Sequence, residues 1–388
     1  MIDVQAERDR TPGTKDGTHL NAAGSSLRTV EVTAAVSQHL ELEDRIGGYE
    51  AALEAEPALV RTRESVARLI RTAPEKVGLL ESATRAWATA FYSVPLGEGD
   101  LVLVDRATYV SSALMLLRAT ERSGIVLEVV PDDGHGQLDV AALDDALHKH
   151  GERVKLVAVT HVPTSNGLIN PVADVGAVTR RHGVPFLLDG CQSIGQLDVD
   201  VEAIGCDFYS ATGRKFLRAP RGTGFLYARD PAQLDPLIID GAGATWSGPG
   251  TWDPQPDARR IEMFEYDVAS RLGLGVAADQ ALEHTTAAIE SHLVATSAKL
   301  RHLLSDIPGV TVQDRGERLG AIVTFTVDGH DSGKLAEQLR GDHQVRVWWS
   351  ERDGAQWLLS ADSVVRASVH TYTSEEDLVR LVDVLASL

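Results

Sequence analysis

The chain predicts an α/β protein: a large domain with a mostly parallel sheet flanked by helices, followed by a smaller α+β domain. Three observations carry that reading. Short apolar runs alternate with helical stretches from Val77 to Tyr227, the trace that crossover-connected parallel strands leave in a sequence. From about Val310 the order changes to strand runs around one helix. The 388 residues also exceed one typical domain. The expected division is an N-terminal segment over 1–26, a large domain over 27–270 and a small domain over 271–388.

Taken in order, residues 1–17 are polar and read as a mobile lead-in. Leu27 to Leu59 is helical and broken at Gly47-Gly48-Tyr49, where a double glycine predicts a kink or a close backbone approach. Tyr49 then faces either the substrate or a packing interface. Val60 to Ile70 reads as a further helix and Val77 to Leu80 as a strand. Glu81-Ser82-Ala83-Thr84 opens the helical ATRAWATAFYSV, so its free N–H groups and hydroxyls meet the positive end of the helix dipole, a phosphate site. Ser82 is also a plain N-cap, and the two roles are compatible.

Strands are expected at Leu101 to Asp105, Ile125 to Val130 and Lys155 to Val162, with a helix at Val140 to Leu147. Ala173 to His182 is the helix that returns to the apolar run Pro185 to Leu188. Phe208-Tyr209-Ser210 and Phe225-Leu226-Tyr227 follow as strands. Leu237 to Pro254 reads as a long glycine-rich loop carrying Trp246 and Trp252, and such loops are often functional. Their indoles offer either aromatic surface for a substrate or packing at an interface. Ala277 to Leu304 reads as one long helical region, Asp331 to Leu339 as a helix, and Val364 to Tyr372 as the last strand.

The chemistry concentrates between Pro185 and Arg229. Asp189 ends a buried strand, at the edge where open α/β sheets hold ligands. Lys215 follows the next strand in Thr212-Gly213-Arg214-Lys215. An acid and a lysine so placed are what pyridoxal 5′-phosphate (PLP) requires: the lysine holds the aldehyde as a Schiff base, and the acid keeps the ring nitrogen protonated. Thr212 and Arg214 offer a hydroxyl and a guanidinium to its phosphate.

The stretch DGCQSIGQLDVDVEAIGCDFYSATGRKFLRAPRGTGFLY resembles the signature of class V aminotransferases, within the PLP enzymes of fold type I. The resemblance implies a seven-stranded sheet and a homodimer. It assigns Asp189 to the pyridine nitrogen, Gln192 to the ring's phenolic oxygen and Lys215 to the covalent link. Arg214 stands where many relatives carry His. Ala83 and Thr84 would bind the phosphate, and Tyr109 would stack on the ring unless it is ordinary packing. Asn21 lies in the opening segment that passes the active site. Thr164 falls where relatives often have an Asn that meets substrate and cofactor. Arg366 would take the substrate α-carboxylate, its alternative being an ion pair with Glu375 or Asp377. Relatives also carry Gly-Thr near Asp267-Val268 for a cross-subunit phosphate contact, which this chain lacks.

The net charge of −19 argues against nucleic acid or an anionic membrane as partner. Two cysteines, Cys191 and Cys206, fit a reducing cytoplasm, and the N-terminal residues show no apolar secretion signal. No metal is called for by this chemistry. Cysteine desulfurases need a thiol on a small-domain loop, and no cysteine follows Cys206. The GGYEAA, SATGRK and PRGTG segments are similar to sulfoxide-lyase and cysteine S-conjugate branches of natural-product biosynthesis. The expected activity is therefore C–S β-elimination on an S-substituted cysteine. An aminotransferase or an isopenicillin N-type epimerase is the alternative, and a catalytically silent PLP-fold protein a third.

Overall fold

The computed structural model describes residues 2–351 and 363–388. Helix α1 (Val4–Asp9) and strand β1 (Thr18–His19) lead into two long helices, α2 (Val30–Ile46) and α3 (Gly48–Leu69). The break falls at Gly47, whose φ of 94° an L-residue rarely adopts. Val60 to Ile70 is not a separate helix, because α3 runs on through Pro57 to Leu69. Its inner face is held against a later helix, and that packing outweighs the proline's lost hydrogen bond.

The alternating region then follows: β2 (Val77–Leu80), α4 (Ala83–Ser93), β3 (Leu101–Val104), α5 (Val110–Ser123), β4 (Val126–Val129), α6 (Val140–His150), β5 (Val154–Thr160), α7 (Val172–His182) and β6 (Phe186–Asp189). The short helix α8 (Val201–Ile204), β7 (Phe208–Thr212) and β8 (Gly224–Ala228) complete it. These strands form one seven-stranded sheet in the order β2-β8-β7-β6-β5-β3-β4. All neighbours are parallel except at β8, which runs against both β2 and β7. The mostly parallel seven-stranded sheet expected from the sequence is present. Strands β2, β3, β6, β7 and β8 are buried along their whole length, which explains their unbroken apolar runs.

Two expectations change beyond β8. The glycine-rich loop contains a hairpin, β9 (Ala244–Gly248) and β10 (Thr251–Pro254), which pairs Trp246 with Trp252. The single helical region is two helices, α9 (Val268–His284) and α10 (Thr286–Ser305), divided at Thr285, where φ is +65°. Helix α9 packs on α2 and α3. The remaining elements are β11 (Val310–Val312), β12 (Ile322–Val327), α11 (Ser332–His343), β13 (Val345–Arg346), β14 (Trp348–Glu351), β15 (Ser363–Ser368) and α12 (Glu375–Ala386). Strands β11-β12-β15-β14 make a four-stranded antiparallel sheet, and β1 pairs with β13. No described helix is long and apolar enough to cross a membrane.

Candidate active site

Strand order puts a topological switch between β5 and β3, since the chain builds outward to β4 on one side and to β6 and β7 on the other. Ligands of open α/β sheets gather at the carboxyl ends of such strands. Here those ends carry Asp105, Thr160, Asp189 and Thr212, all buried. Asp189 closes β6, and its Oδ1 accepts the Cys191 N–H at 2.9 Å, which fixes the carboxylate's direction. Gly190 is required beside it: a Cβ there would lie 2.0 Å from the Tyr209 ring.

Lys215 lies in the loop between β7 and β8. That loop is closed on itself by Gly213 N–H to Thr223 O at 3.0 Å and Arg218 N–H to Lys215 O at 3.0 Å. The lysine is 7% exposed and has no ion pair with a described carboxylate. Its Nζ stands 5.7 Å from the centre of the Tyr109 ring. Burial pushes the amine below the ordinary lysine range, and the nearby Arg214 and Arg366 charges add to that against the pull of Cys191 and Asp189.

Three expected residues meet at the Thr164 hydroxyl, and a fourth, Asn21, is reached through Arg366. Thr164 Oγ1 accepts from Arg366 Nη1 at 2.8 Å and from Gln192 Nε2 at 3.1 Å. Arg366 also donates to Thr164 O at 2.8 Å and to Asn21 Oδ1 at 3.3 Å, and Gln192 donates to Ala23 O at 3.1 Å. The rival role for Arg366 is not taken up, since Asp377 pairs with Arg8 and Glu375 with Lys299. Burial, with the Arg214 charge adding to it, drops the Arg366 guanidinium to about 10. Arg214 donates to Gly24 O, and Ser26 N–H returns to Arg214 O at 3.0 Å, so the N-terminal segment lines this side.

Ser82 caps α4 by accepting from Arg85 N–H at 3.2 Å, and Ala83 is buried while Thr84 is exposed on the first turn. Gly224 brings β8 against that turn: a Cβ would sit 2.7 Å from Ser82 C and 2.9 Å from Ala83 N. Thr212 donates to Thr223 O at 3.3 Å. Tyr49 and Trp246, by contrast, are 76% and 80% exposed and stand apart from this cluster within one chain.

The site also gathers Asp105, His161 and Ser210, which the sequence reading did not name as site residues. Gln192 Oε1, Ser210 Oγ, His161 Nδ1 and Arg366 Nε are buried with no described partner. Each such group costs on the order of 1–3 kcal/mol if left unsatisfied, so those on residues of this site suit the polar atoms of a ligand. Ser210 sits beside Asp189 in register on β7. Asp105 accepts from Thr108 Oγ1 at 2.9 Å and Thr160 N–H at 3.1 Å, yet burial lifts its carboxyl to about 7. Burial also holds the Cys191 thiol well above its ordinary range, with Asp189 adding to it. The only signal for Asp105, His161 and Ser210 is position: the first two directly follow a strand and the third lies within β7. A buried lysine with no ionic partner, an acid at the next strand end, a helix N-terminus and unsatisfied acceptors and donors together fit PLP.

Comparisons with known proteins agree with this geometry. A probable cysteine desulfurase of Methanothermobacter thermautotrophicus is 27% identical over all of this chain and 99% of its own length. An isopenicillin N epimerase of Streptomyces clavuligerus is 29% identical over 89% of this chain and 90% of its own. Among solved structures, the Escherichia coli cysteine desulfurase superposes with a TM-score of 0.90 at 19% identity, covering 100% of this chain and 98% of the other. The cystine C–S lyase in complex with cysteine persulfide gives 0.87 at 21% identity over 97% and 99%. Both share the fold, that of the fold-type I PLP enzymes. The aminotransferase class-V family profile matches residues 18–381, and this chain belongs to that family.

Proposed function

We propose that this protein is a PLP-dependent enzyme that cleaves the Cβ–S bond of an S-substituted cysteine by elimination. The observation that carries the reading is a buried lysine and a buried guanidinium, neither ion-paired among the described residues, in a chain with no cysteine beyond Cys206. Cysteine desulfurases are among its relatives, and their sulfur transfer needs an accessible thiol on a small-domain loop. Cys206 is fully buried and burial pushes its thiol far up, while the half-buried Cys191 has its thiol raised by burial and by the Asp189 charge. Neither offers a thiolate.

PLP, held by Lys215, Asp189, Gln192 and the turn of Ser82 to Thr84 with Thr212 and Arg214, supplies an electron sink for a negative charge at Cα. Arg366 grips the substrate α-carboxylate with the fork that Thr164 and Asn21 orient. Lys215 Nζ, already depressed by burial, takes the Cα proton. The Cβ–S bond breaks, the sulfur leaves with the electron pair, and hydrolysis of the remainder gives pyruvate and ammonia. Division at residues 27–270 and 271–388 would set the site between two domains.

The exposed Tyr49, Leu53 and Phe264 line one surface groove, with Trp246 on a neighbouring hairpin. A homodimer closing over this face would carry Tyr49 and Trp246 toward the partner's site. Light scattering should give twice 41.7 kDa, and an active monomer would sink this part.

The deciding assay incubates the enzyme with cysteine, a cysteine S-conjugate and its sulfoxide, following pyruvate and ammonia. Pyruvate from a conjugate is expected, and it should survive Cys191→Ala with Cys206→Ala. Lys215→Ala should lose the borohydride-fixed PLP adduct, and an adduct on another lysine would overturn the assignment. Inversion at Cα without pyruvate would instead favour epimerisation, the reading that the 29% identical epimerase supports.

A further inference from the structure

We propose that Asp144, His148 and His182 form a site for one divalent transition metal of the zinc, cobalt or nickel class, tying α6 to α7. Asp144 and His148 are one turn apart on α6, and His182 is the last residue of α7, which packs beside it. One donor atom from each lies within 4.8 Å of the other two. His182 Nε2 is 2.7 Å and His148 Nδ1 3.4 Å from the same oxygen, Asp144 Oδ1. Donors around a tetrahedral zinc ion are roughly 3.3 Å apart, so small side-chain adjustments admit the ion.

The surroundings suit that use. The two imidazole rings stand at 90° with centroids 4.5 Å apart, so both turn nitrogens toward one carboxylate. Arg181 Nη2 holds the other carboxylate oxygen, Oδ2, at 2.9 Å. That leaves Oδ1 for an ion and gives the ligand an outer partner that fixes its direction. Binding would exchange two hydrogen bonds, from the His148 ring to the Asp144 carbonyl at 2.9 Å and from His182 Nε2 to Asp144 Oδ1 at 2.7 Å, for bonds to the ion. Two imidazoles with one carboxylate select zinc-like ions over calcium or magnesium, which prefer all-oxygen shells. Three protein ligands leave a position for water.

His182 precedes the amino end of β6, whereas Asp189 closes its carboxyl end. The ion would therefore sit at the opposite pole of the sheet from Lys215, where it cross-links two helices and takes no part in the chemistry.

Metal-stripped holoenzyme titrated with Zn²⁺ against a chromophoric chelator should bind one tight equivalent per chain. His148→Ala and His182→Ala should each lose it, and Asp144→Asn should weaken it at least tenfold. His148 is exposed and Asp144 and His182 are only half-buried, so circular dichroism should be unchanged. Zn²⁺ should raise the melting temperature of the parent protein only, and Co²⁺ should give visible bands in it that both histidine variants lack. No tight equivalent in the parent protein, or one that persists in both histidine variants, overturns the proposal.

Discussion

Arg366 shows how much a single buried charge can say. Its Nε has no partner, its Nη atoms reach only neutral oxygens, and no described carboxylate neutralises it. A buried cation left this way costs several kcal/mol unless an anion arrives. Removing it should therefore help the fold and hurt the ligand. Arg366→Ala should weaken an unreactive amino-acid analogue by about 2–5 kcal/mol, roughly thirtyfold to several thousandfold. Spectral titration would measure this, with Lys215 adduct formation unchanged and thermal stability equal or higher. An esterified analogue, which lacks the charge, should lose little. If the acid and its ester fall together, Arg366 serves the fold and some other group meets the carboxylate.

At the scale of elements, the strands were legible because they are buried on both faces. Pro185 to Tyr227 reads directly as β6, β7 and β8, with the lysine loop between the last two. Asp189, Gln192 and Lys215 could be named because they form an ordered pattern on that frame. Asp105, His161 and Ser210 could not, since each is one polar residue in or just after a strand with no spacing to announce it. The hairpin β9–β10 hid because its strands are short and exposed, without the alternation a buried face imposes. The division at Thr285 hid because a β-branched residue at positive φ is the opposite of the usual glycine signal. Gly224 sets the close approach of β8 to the first turn of α4, where the proposed reading places the cofactor phosphate. Gly224→Ala would drive a methyl into the Ser82–Ala83 backbone, which cannot yield as a flexible side chain does. Cofactor affinity should fall at least tenfold while substrate preference stays the same, as equilibrium dialysis of PLP would show. An unchanged affinity would mean that this turn does not hold the phosphate.

Over the whole molecule, the first residues do more than lead in. The sequence is mostly polar there, and its partners lie hundreds of positions away, so the expected mobility is replaced by a tie across the fold. Glu7 is buried and accepts from Arg218 Nη1 at 2.5 Å and Thr371 Oγ1 at 3.2 Å, with His284 Nε2 at 3.0 Å. Arg218 closes the loop that holds Lys215 and also donates to Leu27 O at 2.8 Å. His370, at the end of the β15 segment, donates to Phe216 O at 2.9 Å. One carboxylate thus joins α1, the lysine loop, the end of α9 and the turn after β15. Burial by itself would raise the Glu7 carboxyl, but the His284 hydrogen bond and the Arg218 and Arg10 charges bring it down to about 2. A depressed carboxyl stabilises the fold above its unfolded value, about 4.3, and loses that contribution as pH falls through 2. Glu7→Gln keeps the shape but strands the Arg218 charge, so it should cost about 3–5 kcal/mol at neutral pH. Urea unfolding of both proteins from pH 7 down to 2.5 should show that deficit constant to about pH 4.3 and shrinking below it, as the parent protonates Glu7 too. Stability curves that stay parallel throughout would place the acid sensitivity elsewhere and reduce Glu7 to a packing residue.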